Sequence, residues 1–138
     1  MRALPKILIV DDEEDIRKIL NEYLSSRMDC EIMEAVNGYE AIEMIGKNDV
    51  DLILLDIKMP GISGTEVIQK AKSIQKEIPI IVITKWDSAQ VAKQVEESGA
   101  DYIPKPFSLK IIRAKVEEKL KAVGKLSKLG SDTEISGA

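Results

Sequence analysis

Asp11-Asp12, Asp56, Thr84 and Lys105 are the residues of this 138-residue chain whose types and places could do chemistry together. Each stands at the carboxyl end of a short apolar run. Ile7-Leu8-Ile9-Val10 leads directly into Asp11-Asp12, Leu52-Ile53-Leu54-Leu55 into Asp56, Ile80-Ile81-Val82-Ile83 into Thr84, and Tyr102-Ile103-Pro104 into Lys105. Brought to one place the carboxylates repel, since two unit charges about 4 Å apart at an effective dielectric near 20 cost roughly 4 kcal/mol. Such a cluster needs a cation or must hold protons. A hard divalent ion with oxygen ligands answers that need, and Mg²⁺ suits a site that leaves positions open for water or phosphate oxygens. Lys105 adds a fixed positive charge. Taken singly, Asp12 could equally cap a following helix and Lys105 could be a solvated lysine; four matching run ends together point to a site.

Other chemistries are narrowed by what the chain lacks. It has no histidine, so no Ser/His or Cys/His nucleophile pair and no His-bearing metal site is possible. Its single cysteine, Cys30, has no partner for an internal disulfide, and Asp29 and Glu31 on either side raise a thiol pKa; an ordinary buried thiol is expected. The formal charge is −4, with Lys and Arg scattered among Asp and Glu, so no basic face for direct nucleic-acid binding is expected. The apolar runs are too short to span a bilayer and the N-terminus lacks a signal-peptide pattern, which makes the cytoplasm the expected compartment and excludes a membrane partner. With 44% hydrophobic and 32% charged residues, 8 Gly and 5 Pro, the chain has the balance of one folded domain.

The elements that must position the cluster alternate strictly. Ile7–Val10, Leu52–Leu55 and Ile80–Ile83 are uninterrupted and rich in branched residues, as expected of strands buried on both faces. Glu31–Val36 mixes polar and apolar positions and Tyr102-Ile103-Pro104 contains proline, which marks both as edge strands. Between them, spacings of three and four predict helices through Ile16, Ile19, Leu20, Tyr23 and Leu24; through Ala41, Ile42 and Ile45; through Val67, Ile68, Ala71 and Ile74, opened by Ser63 and Glu66 at capping-box spacing; and through Leu109, Ile112, Val116 and Leu120. A weaker helix over Ser88 to Ser98 offers Val91, Ala92 and Val95 and is the expected mobile element. Five strand-then-helix units predict an α/β domain with one doubly wound, five-stranded parallel sheet, helices on both faces and strand order 2-1-3-4-5. The winding reverses between strands one and three, so the crevice lies at their carboxyl ends. Residues 1–124 form the domain in this reading and 125–138 a tail or linker.

The motif set resembles the receiver domains of two-component response regulators, over about Lys6 to Ala122, with a flavodoxin-like fold. It comprises Val10-Asp11-Asp12-Glu13, Leu54-Leu55-Asp56 followed by Met59-Pro60-Gly61 and Gly64, then Thr84, then Lys105-Pro106-Phe107. The resemblance implies that Asp56 is the phosphoacceptor, taking a phosphoryl group from a sensor histidine kinase or phosphotransfer protein. It further implies that Asp12, Asp56 and the backbone carbonyl of Lys58 bind Mg²⁺, with Asp11 acting through a bound water. Thr84 and Lys105 would each hold a phosphoryl oxygen, and Tyr102 would stand in the region of an aromatic switch residue coupled to Thr84. The Lys105-Pro106 peptide resembles the family's cis bond. The downstream partner would be an effector protein or an output domain outside this chain, and the domain a monomer or a weak phosphorylation-dependent homodimer.

Two features depart from the family pattern, and one is the segment Gly99-Ala100-Asp101-Tyr102, one residue shorter than the usual spacing before the aromatic residue, which could displace Tyr102 from the switch pocket. Lys85 stands after the switch threonine where a small residue is usual, and Trp86 follows; either hindered access or an added phosphate-binding charge is open. Lys58 and Trp86 occupy positions that tune acyl-phosphate lifetime in relatives. A Mg²⁺-dependent phosphatase of the haloacid-dehalogenase type would want a second aspartate where Lys58 stands. A phosphorylation-independent, receiver-like interaction domain is the other alternative.

Overall fold

The computed structural model of the protein describes residues 4–57, 63–85 and 88–124. In chain order the elements are β1 (Lys6–Val10), α1 (Glu14–Arg27), β2 (Glu31–Ala35), α2 (Gly38–Lys47), β3 (Leu52–Leu55), α3 (Gly64–Ile74), β4 (Ile80–Thr84), α4 (Ala89–Ser98), β5 (Asp101–Pro104) and α5 (Leu109–Ala122). The strands form one five-stranded sheet in the order β2-β1-β3-β4-β5, and every pairing is parallel. β1, β3 and β4 are central, and the register aligns Val10 with Leu55 and Leu55 with Val82. Residues that follow these positions therefore emerge side by side at the carboxyl end of the sheet.

Because side chains alternate between faces along a strand, each central strand supplies both cores. Leu8, Val10, Ile53, Leu55, Ile80 and Val82 pack with α2, α3 and α4 on one face. Ile7, Ile9, Leu52, Leu54, Ile81 and Ile83 pack with α1 and α5 on the other. That double burial is why the central runs show no polar interruption. β2 and β5, paired on one side only, keep half-buried and exposed positions. Two expectations of core membership need correction. Ile19 of α1 and Ile74 of α3 are exposed, although their spacing fits the buried stripe, because each helix lays a narrower face on the sheet than its periodicity allows.

Helix starts are set by local hydrogen bonds. Asn37, Ser63, Ser88 and Ser108 cap α2, α3, α4 and α5 by accepting from the backbone N–H three residues on. At α3 only half of a capping box forms, since the Glu66 carboxylate meets the Ser63 hydroxyl at 3.3 Å. Gly99 ends α4 in the left-handed conformation at φ +70°, which favours glycine. α4 runs over Ala89–Ser98 and buries Val91 and Val95, with Ala92 only half-buried. The Lys105-Pro106 peptide is cis. Cys30 is half-buried rather than buried, in contact with the α1 side of the core. No helix among the described residues is long and apolar enough to cross a membrane. The tail at 125–138, Lys58, the Met59-Pro60-Gly61 turn and Trp86 lie outside the described residues.

Candidate functional site

Two strand ends deliver the acidic cluster, β1 leading into Asp11 and Asp12 and β3 into Asp56. Each end is held by the ladder running one residue past its strand: Asp11 N–H donates to the Ala35 carbonyl at 3.2 Å, and Asp56 N–H to that of Val10 at 2.9 Å. Lys105 N–H donates to the Thr84 carbonyl at 2.9 Å, which fixes where β5 hands over to the site. Asp11 and Asp56 are thereby buried, at 3% and 6% exposure, while Asp12 faces solvent. Carboxylate oxygens of Asp11, Asp12 and Asp56 all lie within 4.8 Å of one another. An all-oxygen, anionic donor set of this kind fits a hard divalent cation.

Lys105 is the positive centre of the group. Its Nζ donates to Asp56 Oδ2 at 2.9 Å, Asp11 Oδ2 at 3.1 Å and Glu13 Oε2 at 3.2 Å. Burial by itself pulls the ammonium pKa down, but the hydrogen bond and charge of Asp56, and then of Asp11, outweigh it and raise it above the ordinary lysine range. The Asp11 carboxyl is pushed up, chiefly by burial and further by the Asp56 charge, against the opposing Glu13 N–H and Lys105. A buried carboxylate held in this way is characteristic of a functional site, where charge is kept for use at some cost in stability.

Thr84 sits beside the cluster at 1% exposure, and its hydroxyl has no hydrogen-bond partner among the described residues. Buried polar groups are nearly always satisfied, so an unpartnered hydroxyl at a cleft is a donor awaiting an acceptor. The Tyr102 hydroxyl donates to the Thr84 carbonyl at 3.4 Å, a long bond, and the half-buried ring packs on the α4 side of the sheet. A cleft of about 630 Å³ opens over Asp56 and is lined by Asp12, Glu13, Thr84, Lys85 and Lys105 among others. Lys85 is exposed at its rim.

Asp11, Asp12, Asp56, Thr84, Lys85 and Lys105 are thus brought together as their run ends predict, and Tyr102 stands against Thr84. Two further residues carry weight although the sequence assigns neither a role, Glu13 only closing the Val10-Asp11-Asp12-Glu13 motif. Glu13 is the third acceptor on Lys105, and its N–H donates to Asp11 Oδ1 at 2.9 Å. Arg17 reaches back from α1 to the Asp11 carbonyl at 2.7 Å. Glu13 is indistinguishable by type from the acidic residues of the helix start behind it, and Arg17 reads as one more solvated charge.

Comparisons with known proteins agree with this geometry. The family model "Response regulator receiver domain" matches residues 7–117. The chain is 36% identical over 116 residues to "Sporulation initiation phosphotransferase F" of Bacillus subtilis (strain 168), covering 83% of this chain and 93% of that protein. It is 40% identical over 129 residues to "Transcriptional regulatory protein ResD" of the same strain, covering 93% of this chain but only 53% of the relative. The structure superposes on the receiver domain protein (CheY-like) from Methanospirillum hungatei JF-1 with a TM-score of 0.81 and 31% identity, covering 87% of this chain and 96% of that one.

Proposed function

The chain belongs to the receiver-domain family of response regulators, and from that premise we propose that Asp56 accepts a phosphoryl group from a phosphohistidine in a Mg²⁺-dependent reaction and that the added charge switches a surface read by an effector. Receiver domains are signalling domains, and the chemistry proposed here is self-modification rather than turnover of a substrate. The observation that carries the reading is the pairing of a buried Asp56 carboxylate, 2.9 Å from Lys105 Nζ, with a buried and unpartnered Thr84 hydroxyl in one cleft.

In the proposed step a carboxylate oxygen of Asp56 attacks phosphorus in line with the phosphohistidine P–N bond. The P–O bond forms as the P–N bond breaks, and the departing imidazole nitrogen keeps the electron pair and takes up a proton. Asp12, Asp56 and the backbone carbonyl of Lys58, with Asp11 acting through a bound water, would hold Mg²⁺, whose charge would offset that of the phosphoryl oxygens. Lys105, already on Asp56, passes to a phosphoryl oxygen, an ammonium-to-phosphate contact of the kind that stabilises transferred phosphoryl groups. The Thr84 hydroxyl gains in the phosphoryl group the acceptor it lacks, and its shift reaches Tyr102 through the contact at the Thr84 carbonyl. Lys85, with Lys58 and Trp86, would tune access and acyl-phosphate lifetime.

The donor is a sensor histidine kinase or phosphotransfer protein, and the recipient an effector protein or output domain. Residues 1–124 form the receiver and 125–138 a tail or linker, in a cytoplasmic protein that is monomeric or dimerises weakly on phosphorylation. Intact mass after incubation with acetyl phosphate tests the chemistry: a single phosphoryl adduct is expected with Mg²⁺, none with chelator and none in Asp56→Asn. An adduct that survives Asp56→Asn would overturn the assignment of the acceptor.

A further inference from the structure

The backbone of Asp11 is held on both sides of its Cα by groups anchored to β2, and its carbonyl belongs to the peptide that joins it to Asp12. Upstream, Asp11 N–H donates to the Ala35 carbonyl. Downstream, the Asp11 carbonyl accepts from Arg17 Nη1 at 2.7 Å, while Nε of the same guanidinium donates to Glu34 Oε1 of β2 at 3.1 Å. The other Glu34 oxygen, Oε2, is taken by Asn21 Nδ2 at 2.8 Å. Arg17 is only 12% exposed, so this is an ordered bridge from β2 through α1 to the end of β1.

The orientation of that one peptide plane decides where Asp12 points. Asp12 is exposed, and the next residue, Glu13, occupies the N-cap position of α1 without a side-chain cap. The guanidinium is suited to the task because its planar fork holds two acceptors at a fixed angle, which an ammonium does not do.

We infer that Arg17 is a positioning residue for the cation-binding carboxylates: clamped by Glu34 and Asn21, it fixes the Asp11–Asp12 peptide so that both side chains present oxygen to the same ion. This rests on the proposed reading of Asp11, Asp12 and Asp56 as cation ligands, and adds to it a device outside the ligand set. Outer partners of metal ligands typically contribute 10- to 100-fold in affinity, so loss of the clamp should be measurable without loss of any ligand.

Isothermal titration of the full chain with MgCl₂ tests it on the wild type, Arg17→Met, Arg17→Lys and Glu34→Gln, with Lys18→Met as an exposed charge control on the same helix and a urea midpoint for each. The expected result is an approximately tenfold weaker Mg²⁺ affinity in both Arg17→Met and Arg17→Lys, a smaller loss in Glu34→Gln and none in Lys18→Met. Should Arg17→Met not fold, Arg17→Lys and Glu34→Gln decide the matter. Wild-type affinity in Arg17→Lys would show that charge alone matters and overturn the clamp. Lowered urea midpoints with unchanged affinities would reduce Arg17 to a structural bridge and overturn it likewise. No Mg²⁺ binding by the wild type would instead overturn the ligand reading itself, and the inference with it.

Discussion

Thr84 carries a buried hydroxyl that none of the described residues satisfies, and that has an energetic consequence at the scale of one residue. An unsatisfied buried polar group costs about 1–3 kcal/mol. Thr84→Val keeps the shape and removes the orphan, so it should raise stability by about 1 kcal/mol, read as a higher urea midpoint at unchanged slope. Under the proposed function the same variant should still take phosphate on Asp56 yet lose the surface response, which amide chemical shifts before and after phosphorylation would show. Cys30 gives a pH-dependent counterpart. Burial, and then the Asp29 charge, push its thiol above the ordinary value near 9.0. Since the thiolate is the nucleophile, alkylation by iodoacetamide near neutral pH should run slower than for a free thiol. The linkage follows in sign: an acid whose folded pKa is raised leaves stability untouched below the unfolded value and lowers it as pH climbs past that value, because the unfolded chain loses the proton first. Cys30→Ala should therefore show a flatter stability profile above about pH 9 than the wild type, by denaturation at several pH values.

At the scale of elements, the start of α3 is built against the residue that follows Asp56. A Cβ on Gly64 would lie 2.5 Å from Ile57 Cγ1 and 2.6 Å from Ile57 Cα. The second atom is backbone, so no rotamer change relieves the overlap. Gly64→Ala should cost about 1–3 kcal/mol, as overpacking of a filled site does. Because the strain falls on Ile57, next to the proposed acceptor, the adduct should also form more slowly than in the wild type. A urea midpoint and the time course of the intact-mass assay check the two halves separately. The sequence places Gly64 at the start of a helix but does not say which backbone it must admit. The same limit explains Ile19 and Ile74: spacing marks an apolar stripe, and only the packing of α1 and α3 on the sheet decides how much of that stripe is covered.

At the scale of the whole molecule, five parallel strands concentrate acidic charge at one end of the sheet, where Lys105 compensates it only in part. A cation that binds the folded cluster and not the unfolded chain stabilises by mass action, by about 2.7 kcal/mol at a free concentration 100 times its dissociation constant. Thermal unfolding should accordingly shift upward with MgCl₂ and back with chelator, and Asp12→Asn should blunt the shift. An identical melting temperature in Mg²⁺ and in chelator would argue against cation binding at this cluster.

Much was legible before any coordinates, for physical reasons tied to particular residues. Ile7–Val10, Leu52–Leu55 and Ile80–Ile83 had to be central because only a strand covered on both faces lacks polar positions, and five strand-helix units with two mixed edges leave little choice of strand order. From that order it follows that Asp11, Asp12, Asp56, Thr84 and Lys105 share one end of the sheet, and the structure brings them there. What one dimension could not decide is which polar atoms meet across elements. Glu13 on Lys105, the orphaned Thr84 hydroxyl, the Ile57 backbone against Gly64, and Arg17 gripping a carbonyl on β1 while leaning on β2 are all matters of a few ångströms. Hydrophobic burial is set by residue type and period and so is written along the chain, whereas hydrogen bonds between elements depend on distance and angle, which exist only once the elements have packed.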